Sequence, residues 1–341
     1  MTNIETISLC NTCYKKIPAS IFKRGKEAWM RKTCNVHGEQ EAMVERSFLH
    51  VSNFYKYGTL GNNNNIIVHV ENECNMKCSW CYYGKTEIHS IKFLDQLLKD
   101  HYRGFSLMFS GGEPTIRPDY IDMVKEAHSL GWTPSTITNM IKLGDEEFFN
   151  QTLDDSFIDR FSYRFALSFQ HPKNYSADIY KQKLKAIANI ERAGLKASCL
   201  VFSIQSLDEL DFIKAFYDET KHLYHMLRIR TMFCNWKNKG EKNLYLSELH
   251  EAFMDKFGEY TPVQFAGIEQ SNIYCLYMMT KEGGHVSLSS APTVENLDYH
   301  ICSRPVYMLG PDCRCYPVPI CQIISEGIQM GWKDGFRLSE V

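Results

Sequence analysis

The chain has 341 residues, 44% of them hydrophobic and 23% charged, which is an ordinary composition for a globular protein with a large core. Its formal net charge is −2, with 38 basic residues against 40 acidic ones, so the composition argues against a nucleic-acid-binding surface, including that of a zinc-ribbon nucleic-acid protein. The first residues lack a signal-peptide pattern, and no run of about 18 apolar residues occurs. We therefore expect a cytoplasmic protein with no membrane span.

Cysteine is the unusual residue type, with 13 copies. An odd number of cysteines without an export signal favours metal binding or redox chemistry over disulfides. Cys199 and Cys234 stand alone in the sequence. The others form an N-terminal group, a central group and a C-terminal group, which are Cys10, Cys13 and Cys34; Cys74, Cys78 and Cys81; and Cys275, Cys302, Cys313, Cys315 and Cys321.

Residues 1–60 are predicted to form a metal-binding segment. Cys10 and Cys13 are followed, after a longer loop, by Cys34 and His37, which is the spacing of a zinc ribbon or knuckle. Zinc is the expected metal, a mononuclear iron site shares the spacing, and free surface thiols are the structural alternative. The asparagine run at 62–65 then predicts a linker.

Residues 61–240 alternate strand-like and helix-like stretches. This order predicts an α/β fold with a parallel sheet curled into a partial (β/α)6 TIM-like barrel. The predicted strands are 66–71, 105–109, 134–138, 163–169, 197–203 and 226–233.

Three amphipathic helices are predicted between these strands. The first covers about 119–130, and a third begins at Ser206, where Glu209 completes a capping box. The second spans about 177–193, with an apolar face made of Tyr180, Leu184, Ile187 and Ile190.

The central cysteines, Cys74, Cys78 and Cys81, follow the first strand of the barrel in a C-x3-C-x2-C pattern. Protein cysteines usually hold all four irons of a cubane cluster, so three thiolates from one loop leave one iron open to an exogenous ligand. Three buried or zinc-bound cysteines are the alternative, although a zinc site needs a fourth ligand near by.

The stretch "SGGEP", residues 110–114, directly follows the second strand. The pair Gly111–Gly112 lacks Cβ atoms, so its backbone can approach a ligand closely. Glu113 offers a carboxylate to an ammonium group. An ordinary strand-to-helix turn is the structural alternative for this motif alone.

At residues 66–235 the sequence resembles the radical S-adenosylmethionine (radical SAM) superfamily. The resemblance rests on the three-cysteine pattern, with Trp80 just before its last cysteine, and on the SGGEP motif one strand later. It implies a [4Fe–4S] cluster that cleaves SAM to a 5′-deoxyadenosyl radical, which then removes a hydrogen atom from a substrate. The residues it implies for SAM binding are Trp80, Gly111, Gly112, Glu113, Pro114, Thr138, Asn139, Ser168 and Gln170. For the last four, polar residues that merely cap the ends of strands are the alternative.

The N-terminal segment carries a second, shorter resemblance. "CNVHG" at 34–38 is similar to the end of the segment that precedes the radical SAM core in proteins like archaeal pterin methyltransferases and tetraether lipid synthases. This motif implies no substrate.

The sixth strand leads to three further candidates. Cys234 follows it and could donate a hydrogen atom or proton to a reaction intermediate, although a packed core cysteine is the alternative. Arg228 and Arg230 lie on the strand and could bind a carboxylate or phosphate, with solvent-facing arginines as the alternative.

Residues 241–341 are predicted to form a separate cap. "IYCLYMM" and "HVSLSS", separated by "KEGG", predict a hairpin. Cys302, Cys313, Cys315 and Cys321 are dense enough for an auxiliary iron–sulfur cluster, with Cys275 as an alternate ligand, whereas packed apolar cysteines are the alternative.

Two hypotheses for function follow. The first is a radical SAM enzyme that functionalises a C–H bond by C–C coupling, methylation or crosslinking of an unidentified substrate, with flavodoxin or ferredoxin as electron donor. The second is a redox sensor or scaffold that keeps the fold and the metals without catalysis. Only the first would cleave SAM.

Overall fold

The computed structural model describes most of the chain up to residue 232 and parts of the remainder. The described residues are 3–13, 15–57, 65–78, 81, 106–159, 162–232, 244–258, 261–267, 274–279, 284–290, 295–296, 306–309 and 315–318. None of the helices in these ranges is both long and apolar enough to cross a membrane.

The N-terminal segment is a small antiparallel sheet of four strands in sequential order. Inward residues such as Ile21, Ala28 and Met30 are fully buried, and exposed residues alternate with them along the second and third strands, as expected for a sheet with one buried face. The predicted N-terminal ribbon is thus confirmed. The strands are β1 (Asn3–Leu9), β2 (Lys16–Arg24), β3 (Glu27–Cys34) and β4 (Gly38–Glu45).

The larger sheet has eleven strands, and its centre is the predicted parallel sheet. Strands β5 to β10 lie side by side in chain order and every neighbouring pair is parallel, which confirms the α/β fold class. These strands are β5 (Asn65–Glu71), β6 (Ser106–Gly111), β7 (Ser135–Thr138), β8 (Tyr163–Phe169), β9 (Ala197–Ile204) and β10 (Met226–Thr231).

Helices cover one face of this sheet. Asp145 and Ser176 accept backbone N–H bonds at the first turns of the third and fourth helices, and thereby fix where these helices begin. The described helices are α1 (Phe48–Tyr57), α2 (Tyr120–Ser129), α3 (Glu146–Gln151), α4 (Ala177–Arg192), α5 (Glu209–Thr220) and α6 (Leu246–Phe257).

Two details of the predicted helices are wrong. Leu184 of α4 is 39% exposed, and the buried position on that turn belongs to Lys183. Helix α5 begins at Glu209 and not just after Ser206, because the Glu209 carboxylate accepts the backbone N–H of Gln205 and holds the preceding residues in a turn.

The C-terminal strands join the same sheet. The predicted hairpin is confirmed as two antiparallel strands, and the second of them pairs in parallel with β10. At the opposite edge, another strand pairs in parallel with β5, so both edges of the parallel sheet are covered. The sheet therefore continues across residue 240, while the domain boundary predicted there stays a prediction. The strands are β11 (Thr261–Gly267), β12 (Tyr274–Met279), β13 (His285–Ser290), β14 (Val306–Leu309) and β15 (Cys315–Val318).

The ribbon is bound to the body through the start of α6. The buried Glu45 carboxylate accepts the backbone N–H groups of Leu246 (3.0 Å) and Ser247 (3.3 Å), so a side chain of β4 caps this helix. Arg46 forms an ion pair with Glu248 at 3.2 Å. One continuous hydrophobic core includes residues of both the ribbon and the barrel.

Candidate metal centres and active site

The four predicted ligands of the ribbon lie together. Cys10, Cys13, Cys34 and His37 place their ligand atoms within 4.8 Å of one another, at the tip of the ribbon. His37 Nδ1 is 3.4 Å from Cys10 Sγ and 3.5 Å from Cys34 Sγ, and the Sγ atoms of Cys13 and Cys34 are 3.9 Å apart. For a tetrahedral zinc ion, the usual bond lengths give about 3.5 Å between sulfur and nitrogen and about 3.8 Å between two sulfurs. The residues therefore fit a zinc ion.

Hydrogen bonds lower the pKa of Cys10 and Cys34 and so prepare them for a metal. Burial raises the pKa of Cys10, but the backbone N–H groups of Cys13 and Thr12 and the Gln40 amide more than offset this and lower the pKa to about 5. At Cys13 the backbone hydrogen bond at Lys15 is outweighed by burial and by the two neighbouring thiols, which raise its pKa. Lys32, which the sequence did not suggest, is buried beside them and donates to Leu9 O at 2.7 Å. Its positive charge offsets the excess negative charge of three thiolates around a divalent ion.

The three-cysteine loop is attached to the SGGEP segment through the backbone. Gly112 N donates to Glu71 O at 2.6 Å and Glu113 N donates to Glu73 O at 2.9 Å. The loop therefore leaves β5 in a fixed direction. Cys74 is exposed, and Cys78 and Cys81 are half-buried.

The glycine pair has a packing role that the sequence did not suggest. A Cβ on Gly111 would lie 2.3 Å from Glu71 O, and one on Gly112 would lie 2.1 Å from Glu73 O. Gly111 also has a φ of 126°, which L side chains rarely adopt. The close approach is thus to the segment that carries the cysteines, and any further approach to SAM stays a prediction.

Glu113 is buried and holds the ends of two strands together. Its Oε1 accepts from Thr115 Oγ1 (2.6 Å) and Thr138 Oγ1 (2.8 Å), and its Oε2 accepts from Asn139 N (2.6 Å). Burial raises the pKa of Glu113, while the hydrogen bonds favour the carboxylate. Pro114 is buried and starts the short 3-10 turn that follows. The predicted contact of Glu113 with an ammonium group stays a prediction.

Asn139 connects the hydrogen bonds around Glu113 to the cysteine loop. Its Nδ2 donates to Asn75 Oδ1 at 2.7 Å and lies 3.7 Å from Cys74 Sγ. The structure therefore brings Cys74, Glu113, Thr138 and Asn139 into one hydrogen-bonded group at the carboxyl ends of the parallel strands, where α/β proteins bind ligands.

Lys183 of α4 extends this group to β8. Its buried Nζ donates to Asn139 O at 2.6 Å and to Ser168 O at 2.8 Å, so it joins the ends of β7 and β8. Burial lowers its pKa to about 7, although the charges of Glu113, Cys78 and Cys74 act in the opposite direction. Ser168 Oγ in turn accepts from Gln170 Nε2 at 3.0 Å. The sequence signal for Lys183 was its position one turn before Ile187 on the buried face.

The thiols of the three-cysteine loop influence one another's ionisation. Burial, together with the charges of Cys81 and Cys74, raises the pKa of Cys78 to about 11. Partial desolvation of the Cys74 thiol by its neighbours also raises its pKa, although the residue as a whole is exposed. A metal group must therefore displace protons when it binds here. The iron–sulfur cluster expected at these three cysteines stays a prediction.

Several predicted site residues lie outside the described residues, namely Trp80, Cys234, Cys302, Cys313 and Cys321. Cys315 begins β15. Cys275 is buried on β12 with its Sγ 3.1 Å from Ser287 Oγ. The auxiliary cluster stays a prediction.

Comparison with known proteins gives an independent result for the ribbon and for part of the chain. Residues 4–46 match the family model described as the HMPTM N-terminal zinc ribbon domain. Over 41% of its length the chain is 27% identical to 7,8-dihydro-6-hydroxymethylpterin dimethyltransferase of Methanocaldococcus jannaschii, of which the match covers 34%. It is 29% identical, over 22% of its length, to an S-adenosylmethionine-dependent nucleotide dehydratase of Flammeovirga pacifica, of which the match covers 31%. The matches thus span about a third of these relatives.

Solved structures show the same fold. Streptococcus suis SuiB bound to S-adenosylmethionine superimposes with a TM-score of 0.54 at 14% identity, over 86% of this chain and 67% of SuiB. SuiB bound to its precursor peptide SuiA gives a TM-score of 0.53 at 15% identity, over 84% of this chain and 65% of SuiB. The chain therefore carries an HMPTM-type zinc ribbon on the fold of an S-adenosylmethionine-binding protein, which confirms its predicted resemblance to the radical SAM superfamily.

Proposed function

We propose that this chain is a radical SAM enzyme in which Cys74, Cys78 and Cys81 hold a [4Fe–4S] cluster. When bound and reduced, the cluster supplies the electron that cleaves SAM to methionine and a 5′-deoxyadenosyl radical, which removes a hydrogen atom from the substrate. The observation that supports this most is the backbone attachment of the cysteine loop to Gly112 and Glu113, because it holds the cysteines beside the carboxyl ends of the parallel strands.

The residues around the loop bind and orient SAM in this proposal. Lys183 and Glu113 fix the strand ends, and both are fully buried, so the groups they hold have little freedom to move. The residues proposed to contact SAM are Trp80, Gly111, Gly112, Glu113, Pro114, Thr138, Asn139, Ser168 and Gln170.

The ribbon holds a structural zinc ion in this proposal, since Cys10, Cys13, Cys34 and His37 fill all four positions of a tetrahedral ion. Among the described residues of this tip, the buried apolar cluster is small and consists of Cys10, Ile17 and Cys34. The metal therefore supplies the stability that a larger core would otherwise give.

The finer parts of the proposal concern the reaction. Cys234 donates a hydrogen atom or proton, a C-terminal auxiliary cluster serves as an electron conduit or substrate anchor, and a flavodoxin or ferredoxin reduces the SAM cluster. The outcome is a C–C coupling, methylation or crosslinking. The names of the similar proteins cover a pterin, a nucleotide and a peptide, so the substrate class has to come from the residues of this chain.

The test is SAM cleavage by the anaerobically reconstituted protein. With dithionite and SAM, the wild-type protein should release 5′-deoxyadenosine, measured by liquid chromatography and mass spectrometry. Cys78→Ala should reduce the release at least a hundredfold, because it removes a cluster ligand. Cys199→Ala is the matched control, since Cys199 is a buried cysteine of β9 outside the loop.

Two results would contradict the proposal. Zinc at the three-cysteine loop of the wild-type protein, found by X-ray absorption, would exclude the cluster. A bound cluster with no SAM cleavage in wild-type protein would instead favour the sensor or scaffold.

A further inference from the structure

The C-terminal half of the sheet carries a polar face opposite the helices. On β10, Leu227 and Ile229 belong to the hydrophobic core under the helices. Because side chains alternate along a strand, Arg228 and Arg230 lie on the other face of the sheet. Strand β10 pairs with β9 on one side and β13 on the other, so these arginines do not lie at an edge of the sheet.

Strand register places hydroxyl groups on both sides of Arg230 and on one side of Arg228. Arg230 lies opposite Ser203 of β9 and Ser289 of β13, and Arg228 lies opposite Ser287 of β13. These three serines are all buried, and Arg230 Nε donates to Ser203 Oγ at 2.8 Å. Two rows of side chains therefore cross the sheet. The first row is Ser203, Arg230, Ser289 and Cys275, and the second is Val201, Arg228, Ser287 and Tyr277.

On the described strands this face carries two arginines and no acidic residue, since neither Asp nor Glu occurs in β9, β10, β12 or β13. A guanidinium group has a planar fork of N–H donors that matches a carboxylate or a phosphate, and a neighbouring hydroxyl adds a further donor. Two such groups on adjacent rows, among hydroxyls, suit one oxyanion.

The face also continues to the candidate SAM site. Val201 of the Arg228 row lies opposite Ser168 of β8, whose backbone carbonyl accepts from Lys183. Neighbouring strands are about 4.8 Å apart, so Arg228 lies about 10 Å across the sheet from Ser168. A group held by the arginines would therefore lie next to SAM and not in its place.

We infer that the substrate carries an oxyanion, a phosphate or a carboxylate, and that Arg228 and Arg230 bind it together with Ser203 and Ser289. This inference rests on the proposed function, because it assigns the substrate of that site. It makes the substrate an anionic molecule whose reacting carbon lies between the arginines and the SAM site.

Titration calorimetry can test this with the reconstituted protein, saturated with SAM and free of reductant, so that the SAM site is already filled. The probes are inorganic phosphate, succinate and chloride. Phosphate or succinate should bind at least tenfold more tightly than chloride, and the tighter of the two identifies the oxyanion. Arg230→Gln should weaken that binding at least tenfold, and Arg228→Gln on the other row should do the same. The affinity of Arg230→Lys should lie between those of wild type and Arg230→Gln, because lysine keeps the positive charge but lacks the forked N–H donors of the guanidinium group.

Arg192→Gln is the matched control and should change the affinity less than twofold, since this arginine pairs with Glu146 on the outer surface of α4. Circular dichroism checks that each variant is folded. Equal binding of all three probes, or an Arg230→Gln affinity equal to that of wild type, overturns the inference. SAM cleavage, measured on the same wild-type preparation after dithionite is added, separates the two proposals. Cleavage without oxyanion binding overturns only this inference, and absent cleavage overturns the proposed function.

Discussion

The ribbon tip and the three-cysteine loop are two cysteine-based sites that differ in how their ligands are arranged for a metal. In the ribbon, hydrogen bonds lower the pKa of Cys10 to about 5, and four ligand atoms already lie at tetrahedral distances. In the loop, burial and neighbouring charges raise the pKa of Cys78 to about 11. A site complete in itself suits a structural ion, whereas the loop depends on bracing from other strands and on the group it binds.

The largest expected effect is the loss of a ribbon ligand. Cys34→Ala leaves three ligands and should lower zinc affinity at least a thousandfold, which competition with a chelator would measure. Hydrogen exchange should become faster near residues 9–18 and 33–38, because the tip has little apolar core of its own. Exchange in β6 to β9 should stay unchanged. Faster exchange throughout the barrel would show that the ribbon metal stabilises the whole fold.

A smaller effect is expected at the glycine pair. Gly112→Ala places a Cβ 2.1 Å from Glu73 O, so the cysteine loop has to move. The affinity for the cluster should fall about a hundredfold. The iron that stays bound after reconstitution measures this loss. Gly25→Ala makes the same change in a ribbon turn where nothing lies within 4 Å. Its φ of 62° strains that turn locally, but the turn contacts no described residue of the cysteine loop, so bound iron should stay unchanged. Normal iron content in Gly112→Ala would mean that the loop tolerates the shift.

Asn139 should matter less, because it holds the loop through a side chain. Asn139→Leu removes the contacts with Asn75 Oδ1 and Cys74 Sγ and should weaken cluster binding about tenfold. Zinc content at the ribbon should remain that of wild type, which would confirm that the two sites are independent. A parallel loss of zinc would contradict this.

The smallest effect is a pH dependence at the junction of the ribbon and the body. His50 Nε2 of α1 lies 3.1 Å from His250 Nδ1 of α6. Burial, with a further contribution from His250, lowers the pKa of His50 to about 4. Between pH 6.5 and pH 4 the unfolded chain therefore binds a proton that the folded chain does not, and stability falls as the pH is lowered.

His50→Gln removes this titration. Denaturant unfolding at pH 7 and pH 5 should show a loss of stability about 1 kcal/mol smaller than in wild type, after allowance for the exposed part of the ring. His222→Gln is the control, because His222 is an exposed histidine and should leave the pH dependence unchanged. If His50→Gln loses as much stability between pH 7 and pH 5 as wild type does, the pH sensitivity arises from other residues.

Much of the fold could be predicted because local patterns determine it. Strand β8 begins and ends where its alternation predicts, at Tyr163–Phe169, and the ligand spacing of the ribbon identified all four of its residues. The role of Gly111 and Gly112 was not readable, since the atoms they avoid belong to a segment about 40 residues earlier. Lys183 was missed because a buried lysine looks like any surface lysine until its two acceptor carbonyls are known. Pairing of β13 with β10 likewise depends on tertiary contact.

The cap that Glu45 provides for α6 limits how this protein can be divided. Removing the first 46 residues would expose part of the shared apolar interior and leave the amides of Leu246 and Ser247 without their acceptor. An expression fragment that begins after the ribbon, or a chimera that exchanges ribbons between relatives, has to supply an acidic residue at this place. The ribbon is therefore packed into the body of the protein and is not a detachable module.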